Sequence, residues 1–218
     1  MRLHIYIMAI CLSVAFSSLS ACRSDSGPND YQSQEYIPDA AMPLMIALLE
    51  GEERLSLGIF YEGEFTEEVV IDDLTTHFYI YEETFSVISQ ESDRTEGVRS
   101  DLITHRGGPW WGGGVHWDEP RDLSEWTTLH LSLKSTSEAF SSLEVAMNNS
   151  DTAQAKVKLQ DYGFIANGEW HSVEIPLSDL MDIGLDITQI AAPLVLIGSA
   201  GDAGERLLID AVYLNRFK

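Results

Sequence analysis

Period-two alternation of apolar side chains recurs along the C-terminal half of the chain. Leu129, Leu131 and Leu133 alternate with Thr128, His130, Ser132 and Lys134. Leu143, Val145 and Met147 alternate with Glu144 and Ala146, and Ala155, Val157 and Leu159 with Lys156 and Lys158. A period of two places each set on one face of a half-buried strand. Leu55, Leu57 and Ile59 repeat the pattern nearer the N-terminus, leaving open whether residues 37–76 supply the first strands of the same unit. Three runs are more uniformly apolar: Phe78 to Tyr81, Leu194 to Ile197 and Leu207 to Leu214. These suit central strands or strands covered on both faces. Turn-forming clusters separate the runs: Gly107-Gly108-Pro109, Asn148-Asn149, Asn167-Gly168 and Gly201-Asp202-Ala203-Gly204. Many short strands punctuated this way predict an all-β protein, an antiparallel β-sandwich or jelly roll. The one expected helical turn is Leu177 to Met181, with Ser178 as its cap. Residues 41–50 could form a short helix or a strand broken by Pro43; so short a run does not decide.

The pattern changes before residue 51. Met1-Arg2-Leu3-His4 precedes the apolar stretch Ile5 to Phe16, the arrangement of a secretory signal. The stretch is too short for a permanent membrane span. It ends in Leu19-Ser20-Ala21-Cys22, which resembles the bacterial lipobox. That resemblance implies cleavage after residue 21, acylation of Cys22 and membrane association through the lipid. The alternative is an ordinary secretory signal with a coincidental cysteine. Arg23, rather than an aspartate, follows Cys22, which resembles the outer-membrane sorting pattern of Gram-negative lipoproteins. The expected location is therefore the bacterial cell envelope, lipid-anchored at the outer membrane. Residues 23–36 lack a hydrophobic period and carry Ser, Gly, Pro and Asp, so residues 22–50 are expected to tether a domain spanning 51–218.

Composition sharpens this reading. The sequence has 218 residues, 35 acidic against 13 basic, and a formal net charge of −22. Such a surface repels nucleic acid and anionic lipid and suits a neutral partner or a cation. The only cysteines are Cys11 and Cys22, so no disulfide can staple a domain over 51–218. Motifs for serine hydrolases, zincins, phosphate loops and dinucleotide binding are absent from the sequence. Carboxylate pairs are abundant, as expected by chance from so many acids.

Four segments resemble the galactose-binding-like jelly rolls of bacterial carbohydrate-binding modules. They are Trp110-Trp111-Gly112-Gly113-Gly114-Val115 with Asp122-Leu123-Ser124, the stretch Gly168 to Leu180, Gly184 to Ile190 with the strand after it, and Leu208 to Leu214. The middle two look most like the C-terminal module of certain exo-acting glucan glucosidases. Met147-Asn148-Asn149 stands where that module often carries a cysteine. The resemblance, from about His77 to Asn215, implies a non-catalytic protein whose partner is carbohydrate, an oligo- or polysaccharide. The alternatives are a small surface glycan hydrolase or lyase, and an adhesion protein without a sugar site.

Sugar binding needs flat apolar surface for pyranose C–H faces and polar groups for hydroxyls. Trp110, Trp111, His116 and Trp117 cluster around three glycines and are the leading candidates. In a strand, Trp111 and Trp117 share one parity and Trp110 and His116 the other, so one pair is core and the other open. Arg99 and Asn148 are further candidates; Trp170 reads as core. The resemblance also implies a structural calcium ion, held by Glu82 or Glu83 and Asp210. Asp210 stands out because a carboxylate inside the run Leu207 to Leu214 needs a cation or donors. Backbone amides or a nearby arginine are the alternative.

Overall fold

The computed structural model describes residues 48–57, 60–61, 69–71, 76–150 and 154–218; the side chains of 69–71 are not described. The expected signal, Cys22 and nearly all of the tether lie outside these residues. The described chain is a sandwich of two sheets, as the alternation requires. Its strands are β1 (Glu52–Ser56), β2 (Val69–Ile71), β3 (Thr76–Ile80), β4 (Phe85–Gln90), β5 (Ser100–His105) and β6 (Gly108–Trp117). After these come β7 (Thr128–Ser135), β8 (Glu144–Asn149), β9 (Gln154–Lys158), β10 (His171–Pro176), β11 (Ile190–Gly201) and β12 (Arg206–Phe217). One sheet has the order β3-β6-β11-β8-β9. The other is seven-stranded, β10-β7-β12-β1-β2, with β5 paired to the first part of β12 and β4 paired to β5. All pairs are antiparallel except β1 with β2. The region before residue 77 thus contributes strands to the same sandwich.

The alternating sets meet between the sheets. Leu129, Leu131 and Leu133 of β7, Val173 and Ile175 of β10, and Val145 and Met147 of β8 are fully buried. Trp111 fills the centre, edge-to-face with Phe85 and Phe140 at 5.3 Å each. Its indole crosses Gly198 on β11, where any side chain would overlap the ring, so the core depends on a glycine opposite a tryptophan.

β12 explains its uniformly apolar sequence. A register shift lies between Asp210 and Tyr213, with Ala211 at φ +50°. Such a bulge advances the alternation by one residue. Leu207 and Ile209 point inward before it, Val212 and Leu214 after it, and both sets are buried. Phe78 to Tyr81 differs from expectation in another way: β3 is an edge strand, and only Phe78 and Ile80 pack against the core. The helical turn forms as α1 (Leu177–Asp182), burying Leu177 and Leu180. Ser178 does not cap it. Pro176 occupies the N-cap, and the Ser178 hydroxyl faces the Asp179 carboxylate at 3.3 Å.

The outward face of the seven-stranded sheet is closed. Glu52, Arg54, Tyr61, His130, Asp210, Tyr213 and Asn215 all lie there nearly buried. Arg54 makes two 2.9 Å bonds to Glu52 and sits 4.2 Å from the Tyr213 ring centre. His130 stacks on Tyr213 at 4.5 Å. Its Nδ1–H donates to the Ala211 carbonyl, leaving Nε2 to accept from the Ser172 hydroxyl. Nearly every polar group in this layer has a partner, as burial demands.

Candidate functional site

The five-stranded sheet presents a different outward face. Register places His77 beside His116, Tyr79 beside Gly114, Val195 beside Gly114 and Ala146, and Ile197 between Gly112 and Glu144. Trp110 lies beside Ser199, and Lys156 and Gln154 of β9 flank Ala146 and Asn148. Glycines, Ala146 and the β-branched Val195 and Ile197 therefore occupy the middle of the face. Aromatic side chains stand along the β3–β6 side and polar ones along the β8–β9 side.

The glycines of β6 make room for rings. A Cβ on Gly112 would lie 3.0 Å from the Trp110 ring and 3.2 Å from the Tyr81 ring; one on Gly114 would lie 2.6 Å from the Tyr81 hydroxyl. Tyr81, just past β3, thus lies over the backbone of β6 and packs against Ala146, Ala192 and Val195. Its hydroxyl is 2.8 Å from His116 Nε2. Burial pushes the His116 imidazole below its ordinary value and the Tyr81 phenol above its own. The imidazole is therefore neutral at pH 7, and the phenol can donate to Nε2. Tyr79, 52% exposed, stands edge-on to His116 at 5.3 Å. His77 lies 6.2 Å from Tyr79 and 2.9 Å from Asp118 Oδ1. From Trp110 to His116 the strip extends along β6 for about 20 Å at the rise of a strand.

Opposite the rings, Lys156 bonds Glu144 at 2.7 Å, and the Asn148 side-chain oxygen accepts from Gln154 at 3.1 Å. At the His116 end, Asp118, Glu119, Pro120 and Arg121 line a depression of about 330 Å³. The Arg121 guanidinium there lies 4.6 Å from the Trp117 ring centre. Ring faces beside amides, charged groups and hydroxyls suit a ligand with alternating C–H and O–H surfaces.

The sequence-derived candidates divide cleanly. Trp110, His116 and Asn148 share this face. Trp111 and Trp117 do not: they are 0% and 5% exposed and belong to the core. Parity defined the two pairs, and the burial of Phe85 and Phe140 against Trp111 decides which pair points inward. Arg99 immediately precedes β5 of the seven-stranded sheet and is not on this face. Trp170 is half-buried and donates its indole N–H to Asp93 at 2.7 Å. Tyr79 and Tyr81 were missed because Phe78 to Tyr81 read as one apolar run. Their shared parity with His77 was the available signal.

The calcium expectation does not fit these side chains. Asp210 Oδ2 accepts from the Thr95 N–H at 2.6 Å, the Thr95 hydroxyl at 3.0 Å and the Glu96 N–H at 3.2 Å; Oδ1 accepts from the Ala211 N–H at 2.8 Å. Those donors direct positive hydrogens where a cation would need free oxygen lone pairs. Burial pushes the carboxyl up and the donors oppose it. Glu82 and Glu83 are exposed on the turn after β3, and Glu83 faces Arg106 at 3.4 Å. Among the described residues, no three His, Cys, Asp or Glu side chains gather to hold a metal ion.

A two-sheet jelly roll with a ring-lined outward face defines the class of carbohydrate-binding β-sandwich modules. Residues 61–216 match the family described as carbohydrate binding domain 30, and the chain belongs to that family. The fold is similar to the family 11 carbohydrate-binding module from Clostridium thermocellum, solved in complex with a β-1,3-1,4-mixed-linked tetrasaccharide. That pair has 16% identity and a TM-score of 0.50, covering 77% of this chain and 96% of that one. It is also similar to the family 30 module of a cellulosomal cellulase of Clostridium thermocellum. Here identity is 15% and the TM-score 0.51, with 66% and 92% of the two chains covered. No curated protein matches the sequence. The protein has a carbohydrate-binding role on a β-sandwich scaffold.

Proposed function

We propose that the chain binds a neutral glucan without turning it over, on the outward face of the five-stranded sheet. The observation that carries this is the placement of Tyr81 and Trp110 over the Gly112 backbone, with Tyr79 exposed beside them. Ring faces supported by a glycine strand give a sugar a flat apolar floor. Asn148, Gln154, Glu144 and Lys156 stand across it to hydrogen-bond hydroxyls. The mixed-linked tetrasaccharide bound by the family 11 module is the natural first ligand. Isothermal titration of that tetrasaccharide into the protein is expected to give saturable binding. Trp110→Ala is expected to weaken it about thirty-fold, the effect of removing an aromatic anchor worth about 2 kcal/mol. Unchanged affinity in Trp110→Ala and Tyr79→Ala removes the face from consideration. Release of new reducing ends from the glucan refutes the non-catalytic part.

The lipobox-like Leu19-Ser20-Ala21-Cys22 supports a further part of the reading, that Cys22 carries lipid and holds the module at the bacterial outer membrane. Incorporation of labelled palmitate, lost in Cys22→Ser, tests it.

A further inference from the structure

We propose that the depression lined by Asp118, Glu119, Pro120 and Arg121 is an end subsite of the ring strip, taking one further neutral sugar unit by hydrogen bonding rather than by stacking. The proposal rests on the binding face described above and extends it past His116.

β6 and β11 run in step from Gly108 with Gly201 to Val115 with Leu194, and beyond that stretch a bridge joins Arg121 to Ile190. Six steps on the β6 side thus face four on the β11 side. The surplus forms a bulge over Asp118, Glu119 and Pro120, all of them exposed. Asp118 meets His77 at 2.9 Å, and His77 lies beside His116 on the outward face, so the bulge stands at the end of the strip. Its far side is pinned. The Arg121 N–H donates to the Ile190 carbonyl at 2.9 Å, and the Ile190 N–H donates to the Arg121 carbonyl at 2.8 Å. The depression beside it, about 330 Å³, lies at the small end of the size range of ligand sites and has room for a single sugar unit.

The chemistry of the lining differs from that of the strip. His77 donates its Nε2–H to Asp118 Oδ1, which leaves Oδ2 to accept from a ligand. The Arg121 guanidinium lies 4.6 Å from the Trp117 ring centre. The indole covers one face of the guanidinium and holds it, while the N–H donors lie in the guanidinium plane. Glu119 adds a second carboxylate and Pro120 a C–H surface. Carboxylate acceptors beside a guanidinium donor match neighbouring sugar hydroxyls, each of which both donates and accepts. The same mixture works against charged ligands: the guanidinium repels a metal cation, and the two carboxylates repel a uronate.

The test is isothermal titration of mixed-linked glucan tetrasaccharide and hexasaccharide into the wild type, Asp118→Ala and Arg121→Ala. The wild type is expected to bind the hexasaccharide about ten-fold more tightly than the tetrasaccharide, the effect of one hydrogen bond to a charged group. Both variants are expected to lose that gain and to bind the two chains about equally. The Asp118 side chain is 57% exposed, so Asp118→Ala carries the test even where Arg121→Ala fails to fold. No gain with chain length in the wild type, or a gain that persists in the variants, overturns the end subsite and leaves the binding face standing. Tighter binding of a glucuronate-terminated hexasaccharide than of the neutral one overturns the assignment to a neutral sugar. Absence of wild-type binding to either chain overturns both the subsite and the face.

Discussion

On the seven-stranded sheet the outward positions hold Glu52, Arg54, His130, Asp210, Tyr213 and Asn215; on the five-stranded sheet they hold Tyr79, Trp110, two glycines, His116, Val195 and Asn148. The first set is richer in charge, yet it is the buried one. Residues 60–61 cross it, with the Phe60 carbonyl accepting from the Val212 N–H, and the stretch 95–96 hangs from Asp210. The second set is more apolar, exposed at Tyr79 and half-buried at Trp110 and His116. Polarity therefore does not mark which face of a sandwich meets solvent. A charged outer face can be closed when each charge finds a fixed partner. An aromatic outer face left open is a ligand site candidate.

The sharpest way to break this contrast uses two adjacent residues. Trp111→Ala is expected to cost about 4 kcal/mol of stability, because it empties the centre of the core. Trp110→Ala should leave the urea midpoint close to that of the wild type. Equal destabilisation by both would show that the outward ring is structural. Next in size is Asp210→Ala on the closed face. It leaves the Thr95, Glu96 and Ala211 amides without their acceptor, an expected loss of about 3 kcal/mol. Tetrasaccharide affinity of the folded protein should not move; a loss would mean that the two faces are coupled.

Acid should probe the closed face as well. Burial, reinforced by the Arg54 charge and partly opposed by the Ala211 carbonyl, pushes His130 down to about 4 from an ordinary 6.5. The folded value lies below the unfolded one. Its contribution is therefore full above pH 6.5 and lost as pH falls toward 4, up to about 3 kcal/mol. Denaturant melts of the wild type and His130→Asn across that window measure the difference; parallel pH curves would refute the assignment. Smallest is Gly114→Ala on the open face. The new methyl meets the Tyr81 hydroxyl at 2.6 Å and the Leu194 carbonyl at 2.9 Å, so it should weaken glycan binding about five-fold and cost about 1 kcal/mol of stability as well. Unchanged affinity would mean that the ring need not lie on the strand.

The sequence carried the sheets further than the site. Leu129, Leu131 and Leu133 declare their face because nothing interrupts the period of two. Leu207 to Leu214 hides its face, because the bulge at Ala211 exchanges inward and outward positions halfway along. Trp110 and Trp111 could be assigned to opposite faces from parity, but not to a particular one. What decides is the core around Trp111, made by Phe85, Phe140 and the glycine opposite it, Gly198, which sits 87 residues later in the chain. Asp210 announced a buried carboxylate correctly. Its partners, Thr95 and Glu96, are 115 and 114 residues away, and local pattern says nothing of them. Tyr79 and Tyr81 escaped notice because an apolar run reads as buried, whereas an edge strand shows one side to solvent.

The position of β3 has a kinetic consequence. It is joined to β6 along one side, and it carries Tyr79 and leads into Tyr81. Border segments of this kind open in small excursions that leave the interior intact. A bound sugar chain bridging Tyr79 and Trp110 would have to be shed before such an excursion. Occupancy should therefore slow deuterium uptake at Thr76–Ile80 while leaving the interior of β12 at its resting rate.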